Sequence, residues 1–236
     1  MRYTRRYNAA LAIGLAGTAA LGWLAGSFVD EGAVYAAKAA VFFVVLTAAV
    51  VAVAGDDHPY PRFGSANVVT MVRAILAALV AGLIGYPASS AMLWYVIGCT
   101  AVFAALDGVD GWLARTTRMA SGYGARFDME TDAAFILVLS ILVWQHGKAG
   151  AWVLLCGLMR YAFVAAGQVL PWLAAPLRST VRGRTVAVGQ LLGLNVALAP
   201  AIPVPVSSAV AAVSLAALTW SFAIDVAWLA SQRRTS

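Results

Sequence analysis

From Asn8 to Leu229 the chain is a succession of apolar runs, most of them about 20 residues long, cut by short breaks of charged residues, glycine and proline. The breaks are Asp30-Glu31-Gly32, Asp56 to Arg62, Gly85-Tyr86-Pro87, Arg115 to Arg126, His146-Gly147-Lys148, Arg178 to Arg184 and Pro200 to Pro205. They delimit spans at 8–29, 33–54, 67–86, 90–114, 127–146, 149–171, 185–200 and 206–229, the seventh being short. A bilayer core takes about 20 helical residues to cross. Backbone groups in lipid must bond within their own segment, and none of these runs alternates as a barrel strand does. With 62% hydrophobic and only 11% charged residues, against roughly 25% charged in a soluble domain, an ordinary water-soluble fold is excluded. The expected fold is all-α: a polytopic, multi-pass helical membrane protein.

The net charge of +6 does not point to nucleic acid, because the basic residues sit at the ends of apolar runs and form no single patch. They report topology instead. With the N-terminus in the cytoplasm, the inner side receives thirteen arginines: Arg2, Arg5, Arg6, Arg62, Arg73, Arg115, Arg118, Arg126, Arg178, Arg182, Arg184, Arg233 and Arg234. The outer side receives only Lys38 and Lys148, and Arg160 falls inside a span. Both termini are expected on the cytoplasmic side. The apolar run after Arg6 is longer than the 7–15 residues of a signal-peptide core, so an uncleaved first helix is expected. Cys99 and Cys156 both lie in apolar stretches and read as small core residues, not as a disulfide or a zinc site.

Five of the ten acidic residues lie between 107 and 132: Asp107, Asp110, Asp128, Glu130 and Asp132. Acids inside membrane spans are costly and mark function. Asp107 and Asp110, three apart, share a helix face, and so do Asp128 and Asp132, four apart. Glu130, two residues from each of the latter, projects away. Antiparallel neighbours joined by a short loop bring both pairs to one depth. Two carboxylates about 5 Å apart repel by roughly 3 kcal/mol at an effective dielectric of 20, so four of them need compensating cations. Two divalent ions would supply it, and oxygen-only ligands suit Mg2+ or Mn2+ over zinc. The bland alternative is a set of interfacial helix-end charges, half of them protonated. Gly111 and Ala114, each one turn beyond an aspartate, leave room for a bulky ligand. Arg115 stands two turns past Asp107, where a guanidinium can grip phosphate bidentately. Acids for metal, small residues for clearance and an arginine for phosphate describe a phosphoryl-transfer site, in which two metals can hold a diphosphate during displacement.

The run Asp107-x-x-Asp110-Gly111-x-x-Ala114-Arg115, eight residues, then Gly124-x-x-x-Asp128-x-x-x-Asp132 resembles the signature of the CDP-alcohol phosphotransferases at every signature position. Upstream, Asn67-x-x-Thr70-x-x-Arg73 is similar to the segment that opens that family's first core helix. The resemblance covers about residues 58–230 and leaves two extra N-terminal spans outside it, so residues 1–57 are expected as two added helices and 58–236 as the catalytic region. It implies a six-helix core and transfer from a CDP-linked donor to an alcohol with release of CMP, with two divalent metals bound by Asp107, Asp110, Asp128 and Asp132. It makes Asp132 also the general base. Gly111, Ala114, Arg115 and Gly124 would line the CDP site, with Asn67 and Thr70 beside it. A homodimer is implied on the same footing.

Arg160 reads either as a phosphate contact, as in phosphatidylglycerophosphate synthases, or as a structural ion pair or a snorkelling side chain. The next residue is Tyr161, where those synthases often carry an acid, so the acceptor is left open. Arg178 and Arg182, with Arg184, form an inner basic loop that could hold an anionic acceptor, although the positive-inside rule alone predicts such a loop. Arg73 and Arg118 are expected to bind lipid phosphate and to take no part in chemistry. Trp94, Trp112 and Trp152 read as interface anchors. The leading function is an integral membrane enzyme making a phospholipid from CDP-diacylglycerol and a polar alcohol, with membrane lipids around it and its active site facing the cytoplasm. A soluble CDP-alcohol with a diacylglycerol acceptor would use the same residues. The alternatives are a cation transporter built on the aspartates and an inactive family scaffold. Transport sites tend to lie near the bilayer midplane, and Arg115 would repel a permeating cation.

Overall fold

The computed structural model describes residues 2–26, 31–54, 60, 63–117, 121–175 and 180–233. Among them there is no strand. The helices are α1 (Arg2–Ala25), α2 (Gly32–Ala54), α3 (Ser65–Ala81), α4 (Ser90–Thr116), α5 (Gly122–Gln145), α6 (Leu155–Val169), α7 (Val181–Leu198) and α8 (Val204–Arg233). By length and composition, stretches of α2, α4 and α8 and the segment Ala151–Val169 are long and apolar enough to cross a membrane; α1 and α3 contribute shorter apolar stretches. The polytopic helical fold read from the apolar runs is therefore present, with helices of unequal length.

Local chemistry sets the differences in boundary. The third span was expected to reach residue 86, but α3 stops at Ala81 and the chain turns through Gly85, whose φ of +91° suits only glycine. The sixth span opens with a tight 3₁₀ turn at Ala151–Leu154 that runs directly into α6, and it ends before Pro171–Ala174, where Pro171 has no N–H to continue a helix. The seventh is longer than expected, at 18 residues. Its N-terminus is fixed by the Thr180 hydroxyl, which accepts from the Gly183 N–H at 3.1 Å.

The chain forms two compact units, Met1–Val138 and Leu139–Ser236. In the first, Phe43, Leu46 and Val50 of α2, Met71, Ala74 and Ala78 of α3, and Tyr123, Phe127 and Ala134 of α5 form one buried cluster. Each set recurs at three- and four-residue steps or their sums, as one helix face requires. Lipid tails are as apolar as these side chains, so close packing and small residues hold such helices together. Ala74, Ala77 and Ala78 are fully buried on α3. A Cβ on Gly14 of α1 would stand 2.6 Å from the Phe43 ring and 2.7 Å from the Met71 sulfur, and one on Gly26 would stand 2.6 Å from the Gly32 backbone. Helix α2 also satisfies carbonyls in the last turn of α3 and in the turn that follows it. The Tyr35 hydroxyl donates to Leu79 O at 2.8 Å, and the Lys38 ammonium donates to Ile84 O while lying 4.4 Å from the centre of the Tyr86 ring. Buried hydroxyls on Thr18, Thr47, Thr100 and Thr131 each donate to the carbonyl four residues back, which keeps them satisfied in an apolar setting.

In the second unit α7 and α8 approach closely at Gly193, where a Cβ would meet the Ser214 hydroxyl at 2.1 Å. Lys148 donates to Ala199 O at 2.9 Å and Ile202 O at 2.8 Å, satisfying the turn after α7. Ser207 is buried and donates to Lys148 O at 2.6 Å. Cys99 and Cys156 are free and buried, as their apolar surroundings predict, and Trp94, Trp112 and Trp152 are exposed.

Candidate active site

Three helices of the first unit meet at the aspartates. Asp107 and Asp110 lie on α4, Asp128 and Asp132 on α5. Between them, from α3, comes Arg73, whose side chain has no exposed surface. Its Nη1 donates to Asp110 Oδ2 and Asp128 Oδ1, each at 2.5 Å, and its Nη2 contacts Asp107 Oδ1 at 2.8 Å and Asp132 Oδ1. The guanidinium carbon lies 4.6 Å from the centre of the Phe103 ring. Both aspartate pairs thus converge as their spacing predicts. The expectation for Arg73 is overturned, since a side chain sealed from the surface and held by four carboxylates is not a lipid-phosphate contact. A signal for this existed in the sequence. Asn67, Thr70 and Arg73 are spaced by three and share one helix face, and an arginine nine residues into an apolar helix requires an acidic partner.

Carboxylate oxygens of Asp107, Asp110 and Asp128 lie within 4.8 Å of one another. Oxygens bound to one hard divalent cation at about 2.0–2.6 Å are separated by no more than about 5 Å. The donor set is oxygen only, and the cluster already gathers around a cation of its own. The residues present therefore fit a divalent metal, and Asp107, Asp110 and Asp128 could hold it. The side chains of Asp107, Asp128 and Asp132 are each roughly two-fifths to one-third exposed, at 38%, 41% and 34%, and Asp110 is nearly closed off at 6%. Three of the four carboxylates are therefore open to an incoming group while the guanidinium lies beneath them.

The neighbouring residues are engaged in holding this arrangement. The Thr70 hydroxyl bonds Asp110 Oδ2 at 3.2 Å and the Ala66 carbonyl at 3.1 Å. The Asn67 amide donates to Phe63 O at 2.6 Å. A Cβ on Gly124 would lie 2.7 Å from Asn67 Oδ1 and 3.3 Å from Ser121 Oγ, so glycine there lets the start of α5 close on α3. Gly111 and Ala114 are half-buried along α4, leaving low relief beside the acids. Arg115 is in the last turn of α4, but its side chain lies outside the described residues, as do Arg178 and Arg118 entirely. Arg160 on α6 and Arg182 on α7 belong to the second unit. There Arg182 forms an ion pair with Asp225 of α8 and lies 6.0 Å from the centre of the Trp220 ring, so its charge is already matched.

Neither the curated proteins nor the solved structures give a match to this chain. Among protein families, the model described as CDP-alcohol phosphatidyltransferase matches residues 63–224. That stretch begins just before α3 and contains the arginine and all four aspartates. The chain belongs to the CDP-alcohol phosphatidyltransferase family, whose members are transferases of substituted phosphate groups.

Proposed function

We propose that the protein is an integral membrane enzyme of phospholipid synthesis that moves a phosphatidyl group from CDP-diacylglycerol to an alcohol. The observation that carries this reading is the convergence of Asp107, Asp110, Asp128 and Asp132 on one buried cation within the family-matched segment. Two bound Mg2+ or Mn2+ ions would supply charge for the donor's diphosphate and for the oxygens that attack and leave. Asp107, Asp110, Asp128 and Asp132 would hold them. The acceptor's hydroxyl oxygen forms a bond to the β-phosphorus as the bond from that phosphorus to the bridging oxygen breaks. CMP departs with the bridging oxygen and its electron pair. Asp132, one turn beyond Asp128 and partly open, takes the hydroxyl proton as general base.

Gly111, Ala114 and Gly124 give the donor clearance, and Arg115 binds its phosphate. Asn67 and Thr70 position α5 and Asp110 beside the donor. Arg160, Arg178 and Arg182 are candidates for an anionic acceptor, with Arg182 sharing its charge with Asp225. Residues 1–57 add two helices to a catalytic region at 58–236, and two copies form a homodimer. Purified protein given radiolabelled CDP-diacylglycerol, Mg2+ and a panel of alcohols should release CMP and form a labelled phospholipid with one of them. Absence of CMP release with every donor and alcohol would overturn the enzymatic reading.

With Arg73 set aside, twelve inner against two outer basic residues support a cytoplasmic side for the termini and the aspartates. Single cysteines at Ala88 and Ala201, both exposed at turns, should react with an impermeant maleimide from outside intact cells. One at the exposed Thr117 should react only after the membrane is opened. The reverse pattern would put the site on the face opposite the cytosolic donor.

A further inference from the structure

Four carboxylates facing one another without a metal repel strongly, yet they are gathered here. Arg73 is what gathers them: its two terminal nitrogens reach one oxygen on each of Asp107, Asp110, Asp128 and Asp132. Its Nε is buried without a hydrogen-bond partner, so the guanidinium sits where the acids draw it and leaves its own bonding incomplete. It is fully buried while three of the acids are partly open. It therefore forms the floor of the cluster, and an incoming ion approaches from the opposite side. We infer that Arg73 is a tethered counter-cation, a positioning residue that keeps the aspartates together when no divalent ion is bound and competes with such ions for their oxygens.

Charge arithmetic gives the direction. Four aspartates and one arginine sum to −3. Two divalent ions bring the sum to +1, and a donor diphosphate, with one ionised oxygen on each phosphorus, then reverses its sign. Without Arg73 the empty site would carry −4. Its carboxylates would then spread or destabilise the packing of α3, α4 and α5, and they would attract Mg2+ more strongly. Repulsion between a monovalent and a divalent cation at the same separation is twice that between two carboxylates. Asp107 and Asp110 are fixed by one helix and Asp128 and Asp132 by another, so this charge effect outweighs the loss of preorganisation.

The inference rests on the proposed metal binding but not on catalysis, and its test reads stability and ion affinity. The measurements are melting temperature in chelator and in Mg2+, and Mg2+ affinity by calorimetry, on detergent-purified wild type, Arg73→Gln and Arg73→Lys. Arg73→Gln should melt at least about 5 °C lower than wild type in chelator and regain most of that difference in Mg2+. It should bind Mg2+ at least about tenfold more tightly. Arg73→Lys keeps the charge but cannot span four carboxylates, so it competes for fewer of their oxygens; it should melt lower in chelator and bind Mg2+ more tightly than wild type, by less than Arg73→Gln. A merely structural arginine would lower melting equally with and without Mg2+, and that result would overturn the inference. So would unchanged or weaker Mg2+ binding in Arg73→Gln. If Arg73→Gln does not fold, Arg73→Lys decides: its melting rise on adding Mg2+ must exceed that of wild type, and an equal rise overturns the inference. A protein that shows these shifts yet releases no CMP refutes the enzymatic reading and leaves the counter-cation in place.

Discussion

Asp128→Asn should release no measurable CMP, a loss of about 10²–10³-fold or more, the scale on which removing one preorganised electrostatic group acts. Asp128 is one of three carboxylates whose oxygens lie within 4.8 Å of one another, and it is partly open at 41%. An amide at that position keeps the shape but removes a full negative charge from where a divalent ion would bind. Calorimetry should show weaker Mg2+ binding, while melting in chelator shows that the protein remains folded. Glu130→Gln is the control. Two residues along the same helix its side chain projects off the aspartate face, and its turnover should stay within a few fold of wild type. Normal turnover by Asp128→Asn at ordinary Mg2+ would end the metal-site model, and a collapse in Glu130→Gln would show the helix phase to be wrong.

Asp132→Asn should lower turnover by about 10²–10⁴-fold, the usual contribution of a positioned base, while donor affinity changes little. Asp107, Asp110 and Asp128 form a close group without it, so they suffice to hold metal and diphosphate. Asp132 is tied to that group through Arg73, and its 34% exposed side chain leaves room for an incoming hydroxyl. Arg115→Ala should show the opposite emphasis, with donor binding weakened more than turnover at saturation. Donor affinity by calorimetry beside CMP release separates the two roles. If Asp132→Asn turns over normally, another group takes the proton.

The helices and the aspartate faces were legible because each rests on local periodicity. Runs of apolar residues fix where the chain can cross lipid, and spacings of three and four fix which acids share a face. Arg73 was not read correctly because its meaning is non-local. Counting arginines for topology assigns it to the inner surface, whereas its four partners stand 34 to 59 residues further along the chain. The resemblance puts Gly124 at the CDP site, and its close approach to Asn67 adds a packing reason that only the meeting of α3 and α5 supplies. The end of the sixth span follows from Pro171, a signal present in the sequence, whereas the 3₁₀ turn at Ala151–Leu154 that opens it has no such marker. Thr70 is expected beside the CDP site, and its hydroxyl bonds Asp110, because a buried hydroxyl next to a carboxylate meets its needs within the fold.

The chain has only two lysines, and both ammonium groups are committed to backbone carbonyls: Lys38 to Ile84, and Lys148 to Ala199 and Ile202. Amine-directed acylation or cross-linking of these side chains must first break the bonds that close a turn. Such reagents should modify them slowly in the folded state and quickly once the protein opens. Acylation at Lys148 would remove a positively charged donor from two carbonyls at once, so the modified protein would be prone to unravel where α7 passes into α8. Lysine reactivity is thereby a built-in reporter of whether these turns are intact, with no label added.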